Sequence, residues 1–420
     1  MIETAKRITA IIVLCSITSY LWAAGSFEFN GHVKYRFLHT RYPADSIYNS
    51  FSNSDATDQN ADIRLNSTWQ TSNWNLQTDY QLIAIQGDSL RSSRQLPPLA
   101  VYSNTIQNDD RRLFDLSRTV HEEQDQALLH RLDRFYIGHT SKNTVIRFGR
   151  QAISWGNGLI YTPMDFFNPF DPSAIDKEYK TGDDMVYGQY LFNNGNDIQA
   201  VSVIRRNSEH DVDSDVISTA IKYHGLKGNG EFDLLLSRHY TDNIISFGGN
   251  LSIGGAVWHG DITVTETENE TINSIVTGLS FSWVWGETNY SGIVEYFYNG
   301  FGIDADKYSI TMLTQSTDLL DRIQRGELFT IGQQYLAASA TIELTPLWVI
   351  TPTLFHNLSD SSSLFQLLSR HDLSQNLQLI LAIDIPNGSS GTEFGGIETD
   401  ISDLNLSSDH RFFAQLAWYF

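Results

Sequence analysis

Residues 60–82, NADIRLNSTWQTSNWNLQTDYQL, contain two runs of alternating side chains joined by a short polar segment. Ile63, Leu65 and Trp69 share one face of the first run, and polar residues stand between them. The second run repeats the alternation from Trp74 onward. A period of two is typical of a β-strand, so this stretch predicts an antiparallel hairpin with a tight turn.

Runs of the same kind recur from residue 27 to residue 420 and number about eighteen. The connections between them alternate between tight turns and much longer segments; the long ones are 41–59, 88–129, 153–184, 300–330 and 387–408. Short turns on one side and long loops on the other are typical of bacterial outer-membrane barrels. We therefore predict an all-β fold: a transmembrane antiparallel β-barrel of about 18 strands, with short periplasmic turns and long extracellular loops. Such a barrel must close, because lipid cannot satisfy the backbone groups of an open sheet edge.

The first 25 residues have the pattern of a secretory signal peptide. Lys6 and Arg7 precede a short apolar run, and Ala23, Ala24 and Gly25 supply the small residues that a signal peptidase needs. We expect cleavage to leave residues 26–420 as the barrel. The single cysteine lies within the first 25 residues, so no disulfide is expected after cleavage.

The last ten residues, RFFAQLAWYF, alternate again and end on an aromatic side chain. This stretch resembles the C-terminal strand of bacterial outer-membrane barrels, which the barrel assembly machinery recognises. The resemblance implies that Trp418 and Phe420 form an assembly signal and that the protein lies in the outer membrane of a Gram-negative cell. Its expected partners are then the assembly machinery and outer-membrane lipid.

Composition excludes several function classes. The chain has 49 acidic and 28 basic residues and a net charge of -21, which disfavours nucleic acid as a partner. A mean hydropathy of -0.25 argues against a helical membrane protein. Phosphate-binding loops, zinc-binding HExxH sequences and nucleophile elbows are absent from the sequence, so neither an enzyme nor a bound metal or cofactor is predicted.

The segment 153–184 is the longest stretch that combines glycine, proline and aromatic residues. We expect it to be ordered and to fold into the barrel as a constriction, although a lid outside the barrel would have the same composition. Its acidic side chains would face basic side chains on the wall and select solutes by charge and size. The pore-lining candidates are Lys34, Arg36, Arg64, Arg134, Arg147, Arg150, Asp165, Asp171, Asp176, Glu178, Asp183 and Asp184.

Residues 147–172 also resemble a family. Gly149-Arg150-Gln151, then Trp155-Gly156, then Asn168-Pro169-x-Asp171 is similar to a segment of alginate-export-like and related porin-like barrels. The resemblance implies a wide outer-membrane channel and, more weakly, a periplasmic or inner-membrane export partner. The excess of acidic over basic residues disfavours a polyanion such as alginate as the substrate.

The function that these patterns favour is a porin-like channel for passage or export of solutes, narrowed by an inward loop. Two alternatives belong to other classes: a barrel that sheathes a partner in an export or electron-transfer complex, and a barrel enzyme with a polar site on its wall. Helical spacing also predicts a short amphipathic helix at 313–326 and another between Leu113 and Leu132.

Overall fold

The hairpin predicted at 60–82 is present. Strand β2 (Asp55–Gln70) pairs with β3 (Trp74–Gly87) through an antiparallel register that runs from Asp58 opposite Gly87 to Gln70 opposite Asn75. The turn is closed by the Thr71 N–H, which donates to the Trp74 carbonyl at 2.8 Å. Tight turns of this kind fix the register of the strands that follow them.

A computed structural model describes residues 25–50, 54–95 and 108–420. The predicted signal peptide therefore lies outside the described residues except for its last position. Of the described helices, none has the length and apolar character that crossing a membrane would require.

Eighteen strands form one closed antiparallel sheet in which each strand pairs with its neighbours along the chain. Besides β2 and β3 they are β1 (Ser26–Arg41), β5 (Gln126–Thr140), β6 (Thr144–Gln151), β7 (Asp183–Leu191), β8 (Asp197–Val203), β9 (Ser218–Lys227), β10 (Gly230–His239), β11 (Asp242–Ile253), β12 (Ala256–Glu266), β13 (Thr271–Trp285), β14 (Thr288–Tyr298), β15 (Gln334–Thr345), β16 (Trp348–Asn357), β17 (Ser363–Ser374), β18 (Leu377–Asn387) and β21 (Arg411–Tyr419). The sheet closes where β21 pairs with β1, from Thr40 opposite Arg411 to His32 opposite Tyr419. The predicted barrel and its strand count are thus confirmed.

Aromatic side chains mark one end of the barrel. Every tryptophan of the barrel strands lies within two residues of a strand end that adjoins a short turn or the end of the last strand: Trp69, Trp74, Trp258, Trp283, Trp285, Trp348 and Trp418. Tryptophan prefers the interface between lipid and water, where its ring is buried and its N–H stays near polar groups. This belt places a lipid–water interface at the short-turn end of the barrel, and the long loops lie at the opposite end.

Further elements stand on the long-loop side. They are β4 (Ser117–Glu122), the paired β19 (Ile397–Glu398) and β20 (Asn405–Leu406), a 3-10 turn (Ile47–Ser50), and helices α1 (Asp88–Gln95), α2 (Ile310–Gln315) and α3 (Thr317–Gln324). Apolar side chains of the 3-10 turn, α2, α3, β19 and β20 pack into one buried cluster. These loops therefore form a cap with its own small core.

One predicted helix is present and the other is wrong. The stretch 313–326 contains the end of α2 and all of α3. Between Leu113 and Leu132, however, the chain forms β4 and the first half of β5, which pair with each other. Ala127 and Leu129 are buried on the inner face of β5, so apolar residues stand on both faces and produce a helix-like spacing.

Candidate functional site

The connection between β6 and β7, residues 152–182, contacts inward-facing side chains on strands around the barrel. It begins with Trp155, which is only 5% exposed and donates through Nε1 to Gln199 on β8 at 2.8 Å. Around it lies a dry cluster of wall and loop side chains: Met164, Phe166, Phe167, Met185, Val201, Val203, Ala220, Leu235 and Ile244. A wet barrel interior is normally lined by polar side chains. Here one side of the interior is packed like a protein core.

Two wall carboxylates bind the backbone of this connection. Asp261 on β12 accepts the Asn157 N–H at 2.7 Å and the Gly158 N–H at 3.2 Å. Glu295 on β14, which is fully buried, accepts three consecutive N–H groups, from Leu159, Ile160 and Tyr161. Successive amides aimed at one carboxylate form charge-assisted hydrogen bonds, which are stronger than neutral ones. Neither Asp261 nor Glu295 was predicted from the sequence, because a single acid on a strand has the pattern of ordinary solvated lining.

The Tyr161 ring continues this packing. It stacks on Phe297 with ring centroids 4.8 Å apart and lies 5.8 Å from the ring of Tyr335. Burial raises the pKa of the Tyr161 hydroxyl well above its ordinary value. Tyr161 thus joins a second buried cluster with side chains of β13 to β17: Val276, Phe297, Tyr335, Ala337, Phe355 and Leu364.

Two predicted acids do meet the predicted basic wall. Lys34 on β1 contacts Asp176 at 2.7 Å and Glu178 at 2.6 Å, and Arg36 contacts Asp176 at 2.8 Å. Burial alone would raise the pKa of Asp176, but Lys34 and Arg36 outweigh burial and lower it to about 2. The Tyr419 hydroxyl donates to Glu178 at 3.0 Å. These contacts bring the connection against β1 and β21.

Arg64 and Arg134 have acidic partners on the wall instead. Arg64 contacts Asp79 at 2.9 Å and Asp133 at 2.8 Å, while its guanidinium lies 4.0 Å from the ring centroid of Tyr179. Arg134 contacts Asp133 at 2.8 Å and donates to the carbonyl of Lys180. Both arginines therefore touch the connection through a ring or a carbonyl, and their charges are balanced by β3 and β5.

The remaining predicted residues lie apart from that contact. Within the connection, Asp165 pairs with Lys180 at 2.7 Å, and burial raises the pKa of Asp165 in spite of this lysine. Asp171 accepts hydrogen bonds at 2.8 Å from the N–H and the hydroxyl of Ser173. Arg147 lies 5.6 Å from the ring centroid of Tyr136.

Asp183 and Asp184 are the first residues of β7 and belong to the wall. Arg150 holds Asp184 at 2.9 Å, and Arg205 holds Asp183 at 2.8 Å. Arg150 also contacts Asp109 at 2.7 Å. The glycine-arginine-glutamine sequence at the end of β6 thus ties β7 to the segment before β4.

A cavity of about 670 Å³ remains on the side that the dry cluster leaves free. Its walls are inward-facing residues of β18, β21, β1, β2, β3 and β5, closed on the inner side by Asp171, residues 173–176, Tyr179 and Thr181. No group of three or more His, Cys, Asp or Glu side chains suited to a metal ion occurs in residues 25–50, 54–95 or 108–420. The site is a cavity of mixed polar and apolar lining, bounded on one side by a segment of the connection.

The predicted assembly residues lie on the outer surface. Trp418 is 49% exposed and Phe420 39% exposed, and their rings are 5.1 Å apart. The backbone of Phe420 pairs with Gly31 through hydrogen bonds of 3.0 and 3.1 Å. The terminal residue thus continues the pairing that closes the barrel, and its role in assembly remains a prediction.

The fold is similar to solved structures of OpdQ from Pseudomonas aeruginosa, OccAB4 from Acinetobacter baumannii and a BenF-like porin from Pseudomonas fluorescens Pf-5. The TM-scores are 0.50, 0.52 and 0.52, the sequence identity is 7% in each case, and the matches cover 94% of this chain and 99%, 98% and 98% of those chains. No family model and no curated protein matches the chain in sequence. The shared fold is the closed barrel of a porin, and the resemblance to alginate-export barrels is not confirmed.

Proposed function

We propose that this protein is an outer-membrane channel of a Gram-negative cell, through which small polar solutes pass along one side of the barrel. The observation that carries the proposal is the position of residues 152–182, which contact the wall from β8 around to β1 and leave a 670 Å³ cavity beside them. At eighteen strands, a barrel interior is too wide for its own side chains to fill. An inserted segment narrows such an interior to the size of a solute.

The charged contact at Lys34, Arg36, Asp176 and Glu178 lies where the connection meets the wall. In a narrow, partly buried passage, charges act more strongly on a solute than they do in open water. Because each cation there is matched by a carboxylate, the passage has mixed charge. Removing the carboxylates would leave two cations facing the solute.

The two ends of the chain would carry the signals that direct this protein to the outer membrane. Residues 1–25 would direct export across the inner membrane and then be removed, and Trp418 and Phe420 would direct insertion by the barrel assembly machinery.

Planar-bilayer recordings of the double variant Asp176→Asn with Glu178→Gln test the proposal. We expect a reversal potential in a salt gradient that moves toward anion preference, because Lys34 and Arg36 lose their partners. The matched control is Glu268→Gln with Glu270→Gln, which removes the same charge from an exposed turn. If the first variant and the wild type have the same reversal potential, residues 152–182 do not form the constriction.

A further inference from the structure

The 670 Å³ cavity differs from ordinary polar lining at its end nearer the long loops. Five inward-facing strand residues there are apolar: Leu38, Ile83, Ile85, Leu129 and Phe413. Leu129 is buried, and the other four are half-buried. Covering apolar surface that would otherwise face water is favourable by about 25 cal/mol for each Å². An apolar wall is therefore suited to a solute that has an apolar part.

Deeper in the cavity, buried polar atoms have no hydrogen-bond partner among the described residues. Asp62 is 2% exposed; its Oδ2 accepts from Gln81 at 2.7 Å, whereas its Oδ1 accepts nothing. Asn60 Oδ1 on the same strand is also unpartnered. On β21, opposite Arg36, Gln415 is 1% exposed; its Oε1 accepts from Arg36, and its Nε2 donates to nothing in the described chain.

His32 adds to this group. Its ring is 1% exposed, neither nitrogen makes a hydrogen bond within the described chain, and Nε2 lies 3.9 Å from Asp62. An unsatisfied buried polar atom costs about 1–3 kcal/mol. Acceptors on β2 and an imidazole on β1 therefore line one cavity, and Gln415 on β21 is joined to it through Arg36.

The formal charges around the cavity balance. Five basic residues face five acidic ones, with histidine neutral: Lys34, Arg36, Arg64, Arg131 and Arg411, against Asp58, Asp62, Asp171, Asp176 and Asp384. A solute with a net charge would meet as many repulsive as attractive groups, and its own charge would be desolvated without full compensation. A solute that carries both signs close together can orient each charge toward its complement.

We infer that this cavity binds a small zwitterion with an apolar side chain, such as an apolar amino acid or a short apolar peptide. The ammonium group contacts Asp62 and Asn60, the carboxylate contacts His32 and Arg36, and the apolar part packs against Phe413 and the residues around it. This inference rests on the proposed function, since it names the class of solute that the channel would carry. Binding of the solute can nevertheless be measured independently of ion conductance.

Three ligands that share a phenyl group on a short alkyl chain show how much each ligand charge contributes to binding. Phenylalanine carries both charges, 3-phenylpropionate lacks the ammonium group, and 2-phenylethylamine lacks the carboxylate. By titration calorimetry on the detergent-solubilised barrel, we expect phenylalanine to bind about tenfold more tightly than either analogue, since one charged hydrogen bond gives a difference of this order. Alanyl-phenylalanine in the same assay distinguishes a peptide site from an amino-acid site. If 3-phenylpropionate binds as tightly as phenylalanine, the inference is wrong.

Two variants locate the site. Asp62→Asn conserves shape, and we expect it to weaken phenylalanine about tenfold while leaving 3-phenylpropionate unchanged. Phe413→Ala should weaken all three ligands. The control is Asp55→Asn, on the same strand but outside the cavity. Heat-modifiable migration on gels verifies folding of each variant. Unchanged phenylalanine affinity in folded Asp62→Asn overturns the inference, whereas a protein that binds phenylalanine but conducts no ions overturns the channel instead.

Discussion

Glu295 is the residue whose replacement tests most sharply how residues 152–182 are held. In Glu295→Gln the side chain keeps its size but loses its charge, and one of its two oxygens becomes an amino group. Its present partners are the N–H groups of Leu159, Ile160 and Tyr161, the last two at 2.9 and 3.0 Å, and Nε2 of His259 at 2.8 Å. An amino group in place of Oε1 or Oε2 faces N–H groups that can only donate.

The expected loss follows from these hydrogen bonds. A hydrogen bond to a charged group contributes about 1 kcal/mol more than one between neutral groups. Three such differences give about 3 kcal/mol, an upper value because neighbouring contacts are not additive. Each 1.4 kcal/mol is a factor of ten, so the released conformation becomes more populated by up to about a hundredfold. The barrel itself should stay closed, since its strand pairing does not depend on Glu295.

Hydrogen exchange measured by mass spectrometry on a peptide containing Leu159–Tyr161 reports this directly. We expect exchange at these amides to accelerate by one to two orders of magnitude, while peptides from β1 and β21 are unchanged. The control Glu343→Gln replaces an exposed glutamate near the short-turn end of β15. Wild-type exchange in a folded Glu295→Gln protein would refute the view that this carboxylate anchors the connection.

Other substitutions probe the dry cluster and the cap. Trp155→Ala removes a side chain that is 5% exposed, and we expect it to lower the free energy of unfolding by about 3–5 kcal/mol. The loss is measured as a lower temperature of heat modification. A larger decrease for Trp285→Ala, whose side chain is exposed on the barrel surface, would contradict the stabilising role of the dry cluster. Burial raises the pKa of the Glu393 carboxyl in the cap to about 7, above its ordinary 4.5. The protonated form therefore stabilises the fold, and this contribution is complete below about pH 4.5 and is lost as the pH rises through 7. A spin label at Ser390→Cys should therefore become more mobile between pH 6 and pH 8, and Glu393→Gln should abolish that change; the same pH response in Glu393→Gln would show that another group titrates.

The alternation of side chains predicted the barrel because it is a local property of each strand. Residues 60–82 show it clearly, since their outer side chains meet lipid and their inner ones meet water or polar partners. The pattern weakens where the interior is dry. Val201 and Val203 on β8 face the cluster around Trp155, and Leu129 on β5 is buried. A strand that is apolar on both faces cannot be told from a helix by its period alone.

The sequence predicted several of the charged residues of the site but not which acidic residue pairs with which basic one. Opposed charges were expected between residues 153–184 and the wall, and Lys34 does meet Asp176 across 142 positions of sequence. Asp183 was grouped with the loop acids, but it begins β7 and pairs with Arg205. Which acid meets which base depends on the register of strands far apart in the chain, and a single sequence does not contain that information.

Single-channel conductance of the purified, refolded protein in a planar bilayer, with the reversal potential in a salt gradient, tests the central claim. The proposal predicts stable open steps with a definite ion selectivity, because a cavity of about 670 Å³ lined by charged side chains lies beside residues 152–182. A silent bilayer from protein that is verifiably folded would contradict it and would indicate a barrel closed by its own connection or filled by a partner.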